Sequence, residues 1–118
     1  MTVNGTAICP PSCPPTGTVL CLQDETTTGN FVVFDFSTGA YKFFCNGVQI
    51  ASGTGTPTVR GCLGSIDDLK GDRRVHLEWD LTGAGGKGAG TAIVQLGGST
   101  KCQVTDKDMS NNACPATL

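Results

Sequence analysis

The chain is poor in charge, in aromatics and in histidine. Charged residues fill 15% of its 118 positions, and lysine and arginine together number only 8. Arg73 and Arg74 form the sole basic pair, so the positive patch that a nucleic-acid partner requires is missing. No apolar run approaches the length of a membrane-spanning helix, and no membrane span is expected. His76 is the one histidine, which leaves little for a histidine-based catalytic or zinc centre. No serine in a strained nucleophile elbow stands out either, so the chain is not expected to be an enzyme. One Trp, one Tyr and five Phe are few enough that a core claims most of them. No segment keeps helical periodicity for three turns, which excludes a helical fold. A net charge of −2 leaves the surface to Thr, Ser, Gly and Asn, as in secreted β proteins.

Cysteine, by contrast, is abundant: 7 in a chain of one-domain length. The stretch "CPPSCPPTGTVLC" raises three readings: a metal clip, a redox motif or a disulfide-stapled arm. Zinc sites bring paired Cys-x2-Cys spacings or Cys/His mixtures. Here Cys9-x3-Cys13 is the only tight pair, while Cys21, Cys45, Cys62, Cys102 and Cys114 are spread out. Disulfides are the favoured reading, and they place the chain in an extracellular or cell-surface compartment. An odd count leaves one cysteine to bond another chain or to sit buried as a small hydrophobe. Met1 to Gly5 carries neither the charged nor the apolar region of a secretory signal, so a processed product or one domain of a longer protein is expected.

Along the chain, apolar residues alternate and turn residues interrupt at short intervals, which reads as all-β. Thr18 to Gln23 is a first strand. Phe31 to Phe36 ("FVVFDF") is apolar on both faces and should be central or covered on both sides. Ala40 to Cys45 returns antiparallel, Asn46-Gly47 signals a type I′ hairpin, and Val48 to Ser52 completes a meander. Gly53 to Pro57 reads as a loop or loose edge, Thr58 to Ser65 as a strand containing Cys62, and Ile66 to Asp72 as a loop. Arg74 to Leu81 is the clearest strand, with Val75, Leu77, Trp79 and Leu81 facing a core and Arg74, His76, Glu78 and Asp80 facing water. The glycine-rich Thr82 to Gly90 is a loop; Thr91 to Leu96 and Lys101 to Thr105 are strands. The expected fold is an antiparallel two-sheet β-sandwich of the immunoglobulin-like kind, with a barrel as the alternative. Residues 1–17 form a Pro-rich N-terminal arm and 18–118 the sandwich domain.

Few constellations carry chemistry. His76, Glu78 and Asp80 share one strand face, but a relay needs a nucleophile, and a solvated charged face is the simpler reading. Asp67-Asp68 would face opposite ways on a strand. Asp106, Asp108 and Asn111 cluster hard oxygens suited to calcium, although the same residues also stabilise turns without metal. Thr54, Thr56 and Thr58 alternate as in polysaccharide-contacting rows or as ordinary strand residues. Asn4-Gly5-Thr6 is a glycosylation triplet.

The segments "LCLQDETTTGN", "GTGTPTVRGCLGSI", "DRRVHLEWD", "GTAIVQL" and "TDKDMSNNAC" together resemble a class of β domains found in predicted secreted or surface proteins of bacteria. The resemblance spans Val19 to Cys114 and leaves out the arm. It implies a surface setting and carries over no catalytic residue. The "GGKGAG" loop lacks a cysteine that this class would place near that point, which would account for the odd count.

The functional expectation is an extracellular, non-enzymatic structural module that self-assembles into a filament or surface layer. Its arm, through Val3, Thr6 and Ile8, would add a strand to a neighbour's sheet. The alternative is a secreted module that binds glycans or a partner, with calcium assisting. No other cofactor is expected.

Overall fold

A computed structural model describes residues 19–82, 88–109 and 114–118. The described residues form nine strands: β1 (Val19–Gln23), β2 (Phe31–Asp35), β3 (Ala40–Cys45), β4 (Val48–Thr54), β5 (Thr56–Arg60), β6 (Leu63–Lys70), β7 (Arg73–Asp80), β8 (Ala89–Leu96) and β9 (Ser99–Asp106). They make a 4-stranded sheet, β1-β2-β3-β4, and a 5-stranded sheet, β5-β6-β7-β8-β9. Every neighbouring pair is antiparallel.

All-β architecture and two packed antiparallel sheets follow the expectation; an immunoglobulin-like strand order does not. Each sheet is a plain meander, whereas an immunoglobulin sandwich distributes sequence neighbours between its sheets. Tight turns explain the difference. Four hairpins close through the pairs Cys45↔Val48, Arg60↔Leu63, Lys70↔Arg73 and Leu96↔Ser99. The residues between them are Asn46-Gly47 and Gly97-Gly98, with both φ positive as type I′ requires, and Gly61-Cys62 and Gly71-Asp72, with the glycine positive as in type II′. Turns this short keep consecutive strands in one sheet, because facing sheets stand about 10 Å apart.

These turns also revise two local expectations. Cys62 sits in the β5–β6 turn rather than inside a strand. Ile66 to Asp72, expected as a loop, belongs mostly to β6, because its two aspartates are matched on opposite faces of the sheet: Asp67 by Arg74 and His76, Asp68 by Tyr41 and Arg73.

The chain passes between sheets at Gly55, whose N–H donates to the carbonyl of Gly39 at 2.9 Å. A Cβ on Gly55 would stand 2.7 Å from Ile66 Cγ2 and 2.8 Å from the Asp67 carbonyl, so the crossing needs glycine.

Alternation fills the space between the sheets. Leu22, Val32, Phe34, Tyr41 and Phe43 come from the first sheet; Ile66, Val75, Leu77, Trp79, Val94 and Val104 come from the second. Each such side chain contributes about 1.5–3 kcal/mol on full burial. Trp79 lies in this core as its period-two position required, with the rings of Phe34 and Phe36 at 5.0 and 6.4 Å. Its indole covers Gly64, paired opposite it on β6.

β2 is central and buried on both faces, as "FVVFDF" indicated. Val32 and Phe34 enter the core, while Phe31 stacks on Phe44 with ring centroids 4.5 Å apart on the other face. Val33 is paired between Cys21 and Lys42. The C-terminal segment is tied at both ends of that row: Cys114 is bonded to Cys21, and Thr117 O accepts from Lys42 Nζ at 3.3 Å.

A Cβ on Gly64 would fall 2.2 Å from Trp79 Cζ2, which nothing but displacement of the indole can relieve. Gly64→Ala is therefore expected to lower stability by about 1–3 kcal/mol, read as a drop in the urea midpoint. An unchanged midpoint would mean that the indole does not lie over Gly64.

Candidate functional sites

Three regions bring polar groups together. The first is the seam between β1 and β9, where Glu25 N donates to Thr105 O at 3.2 Å. Side-chain carboxylates complete it. Asp24 Oδ1 accepts from Thr105 N at 2.8 Å, Asp106 Oδ2 from Gln23 N at 2.9 Å, and Glu25 Oε2 from Lys107 N at 2.6 Å. Asp24 Oδ2 also takes the N–H groups of Thr26 and Thr27 and the Thr26 hydroxyl. Burial opposes the charge on Asp24, but the Thr105 N–H and the Thr26 and Thr27 donors outweigh it and hold the carboxyl below its ordinary value of 3.8.

The calcium expectation meets this seam. Asp106 is 2% exposed; its Oδ2 takes Gln23 N and its Oδ1 takes Asp108 N at 3.0 Å. Asp106 thus works as a structural acceptor, and Asn111 lies outside the described residues. Among the described residues no group of three His, Cys, Asp or Glu is placed to hold a metal.

The second region spans the two sheets. The Tyr41 hydroxyl donates to Asp68 Oδ2 at 2.6 Å, and Arg73 Nη2 reaches both, at 3.3 and 3.4 Å. Burial first, then the hydrogen bond to Asp68 and its negative charge, push the Tyr41 hydroxyl well above its ordinary value of 10.0. Arg73 Nε is enclosed without a partner among the described residues.

The third is the outer face of β6 and β7. Asp67 Oδ1 meets His76 Nδ1 and Arg74 Nε, each at 3.0 Å, and Glu78 Oε2 meets His76 Nε2 at 3.2 Å. Burial opposes the charge on Asp67, but the hydrogen bonds and positive charges of His76 and Arg74 outweigh it and lower its pKa. His76 is flanked by carboxylates on both ring nitrogens. Exposed pairs of this kind contribute about 0–1 kcal/mol each. Asp80, at the end of the same face, is lowered by the hydroxyl and N–H of Thr82.

Among the cavities bounded by described residues, two open at opposite ends of the second sheet. One, of about 470 Å3, lies where β6 and β8 begin and β7 and β9 end, and Trp79 lines it. The other, of about 320 Å3, is apolar at Ile50, Val94 and Leu96 and basic at Arg73 and Lys101.

Of the cysteines, Cys21 pairs with Cys114 and Cys45 with Cys102. Cys62 is disulfide-bonded as well. These bonds fit an oxidising environment. Cys9, Cys13, the arm residues Val3, Thr6 and Ile8, and Asn4 lie outside the described residues. Thr54 ends β4, whereas Thr56 and Thr58 belong to β5 in the other sheet, so the threonine row is split at Gly55. Neither the seam nor the Tyr41–Asp68–Arg73 group was foreseen from the sequence. The one available signal was the buried-face position of Asp68 on a strand.

Comparison with known proteins gives no match among family models, curated proteins or solved structures. Among the described residues no helix is long and apolar enough to cross a membrane.

Two outcomes follow from the shifted groups. Asp24, Asp67 and Asp80 have folded pKa values below 3.8, so their stabilisation is present above that pH and is lost as pH falls through the lowered values. Urea midpoints should drop below about pH 3.8, and Asp24→Asn should cost about 1–3 kcal/mol at neutral pH while flattening that drop; an equally steep drop in the variant would exclude Asp24 as a contributor. Tyr41, raised in the fold, stabilises below its unfolded value of 10.0 and loses this as pH rises through the folded value. As the sole tyrosine, it should show no phenolate absorbance in the native protein at about pH 10–11 and full ionisation once urea unfolds the chain. Phenolate in the native state at that pH would contradict the buried Asp68 contact.

Proposed function

We propose that the protein is an extracellular, non-enzymatic structural module that assembles with copies of itself into a filament or surface layer. The observation that carries this reading is the outer edge of β4, which among the described residues pairs with β3 alone. Val48 and Ile50 on β4 are 63% and 41% exposed. An unpaired edge of this kind is a template for strand addition.

Among the described residues β5 has an open edge too, but it accepts a strand poorly. The tight turn after Arg60 makes Arg60↔Leu63 a hydrogen-bonded pair, and Thr58 and Thr56 follow at period two. Pro57 and Val59 therefore face the open side, and Pro57 has no N–H to give. The acceptor is β4. The donor is the arm Thr2–Ile8, seven residues long as β4 is. Backbone bonds supply its affinity, and Val3 and Ile8 its specificity. A donor arm and an acceptor edge from different parts of the chain make head-to-tail contacts, which propagate rather than close. The disulfides support a body that holds its shape outside the cell.

Removing residues 1–8 should abolish higher-order assembly in sedimentation velocity and electron microscopy, while the circular dichroism of the body is retained. Ser52→Pro on β4 should weaken assembly in the same way. Assembly that persists in the truncated chain would refute the arm as donor.

A further inference from the structure

The cavity at Arg73 and Lys101 is built from both sheets. Arg73 on β7 is paired with Leu96 on β8, so the two share a face, and Val94 lies two residues from Leu96 on the same side. Val94 is 4% exposed and belongs to the core, which turns that face towards the first sheet. Val94 is also paired with Cys102, whose bridge to Cys45 crosses between the sheets. A β-bulge in each sheet falls at the same place. The register shifts at Phe43/Phe44 and at Val94/Gln95 leave one extra residue on each facing strand, Ile50 on β4 and Lys101 on β9. A bulge re-aims side chains out of strict alternation, and both extra residues line the cavity.

The lining divides into an apolar and a cationic part. Val94 lies deep, while Ile50 and Leu96 are large aliphatic side chains left exposed. Arg73 and Lys101 supply positive charge, and among the described residues no carboxylate and no aromatic ring lines the space. Arg73 is also short of acceptors. Its side chain is 26% exposed, yet Nε is enclosed and unpartnered among the described residues. Nη2 reaches the Tyr41 oxygen and Asp68 Oδ2 only at 3.3 and 3.4 Å. A charge-assisted bond to a carboxylate ordinarily closes to about 2.7–2.9 Å. Asp68 Oδ2 is held instead by the Tyr41 hydroxyl, at 2.6 Å. The guanidinium therefore keeps donor capacity that the protein does not use. The volume of about 320 Å3 falls within the range of small-molecule sites.

We infer that this cavity binds a straight-chain aliphatic carboxylate of the size of a medium-chain fatty acid. The carboxylate accepts hydrogen bonds from Arg73 and Lys101, which otherwise face an apolar space. The alkyl chain lies against Val94, Ile50 and Leu96 and removes the last two from water. A nucleotide or an aromatic acid finds no ring to stack on there, and an alkylammonium meets two like charges. The inference goes beyond the assembly reading, because the ligand enters between the sheets whereas strand addition uses the backbone of the β4 edge.

Isothermal titration calorimetry of the full chain tests this with acetate, hexanoate and octanoate, each titrated to about 10 mM, where a Kd of ~1 mM gives near-saturation. Octanoate should give a saturable heat and bind about tenfold tighter than hexanoate, since each buried CH2 contributes roughly fourfold. Acetate, with no chain to bury, and hexylammonium, with the opposite charge, should give none. Lys101→Gln and Leu96→Ser, both at exposed positions, should each weaken octanoate about tenfold. Lys107→Gln, at the opposite cavity, should leave its affinity unchanged. No saturable heat with octanoate would overturn the inference. So would hexylammonium binding as tightly as hexanoate, octanoate binding no tighter than acetate, or octanoate binding that survives both Lys101→Gln and Leu96→Ser.

Discussion

A sandwich made of two meanders has a closure problem, and the carboxylates between β1 and β9 solve it. Among the described residues β1 and β9 lie at the edges of different sheets, where backbone N–H groups would otherwise lack acceptors. Asp24, Glu25 and Asp106 reach across and take those N–H groups. A charged acceptor makes a stronger bond than a carbonyl, so few contacts suffice. On the opposite side the chain itself passes from β4 to β5 through Gly55. The two sheets are thus joined on one side by covalent continuity and on the other by ionised side chains.

Disulfides reinforce the same plan. Cys45 on β3 and Cys102 on β9 join the two sheets across a sequence separation of 57, and Cys21 and Cys114 join β1 to the C-terminal segment across 93. In the loop-entropy account, bridges of this span each stabilise by about 4–5 kcal/mol. That matters in a chain whose core draws on few aromatic side chains. The second bridge also ties the C-terminal segment to β1, beside Val33 on β2.

The two ends of the sandwich have diverged chemically. One presents the carboxylates of Glu78 and Asp80 and the hydroxyls of Thr91 and Thr105. The other presents Arg73 and Lys101 over aliphatic side chains. The open β4 edge lies along the side between them.

Local order was written in the sequence because it depends on near neighbours. Period-two alternation in "RVHLEWDL" placed Trp79 in the core, Asn46-Gly47 dictated its turn through positive φ, and the cysteine content pointed to cross-links and an oxidising setting. The sequence even marked β2 as buried on both faces. It did not reveal which cysteines pair, or that Asp67 and Asp68 take opposite roles in a strand rather than capping a loop. Those outcomes rest on contacts between residues dozens of positions apart, such as Tyr41 with Asp68 and Asp24 with Thr105. Only tertiary packing decides such contacts: the balance is struck among whole sheets, and no local window contains both partners.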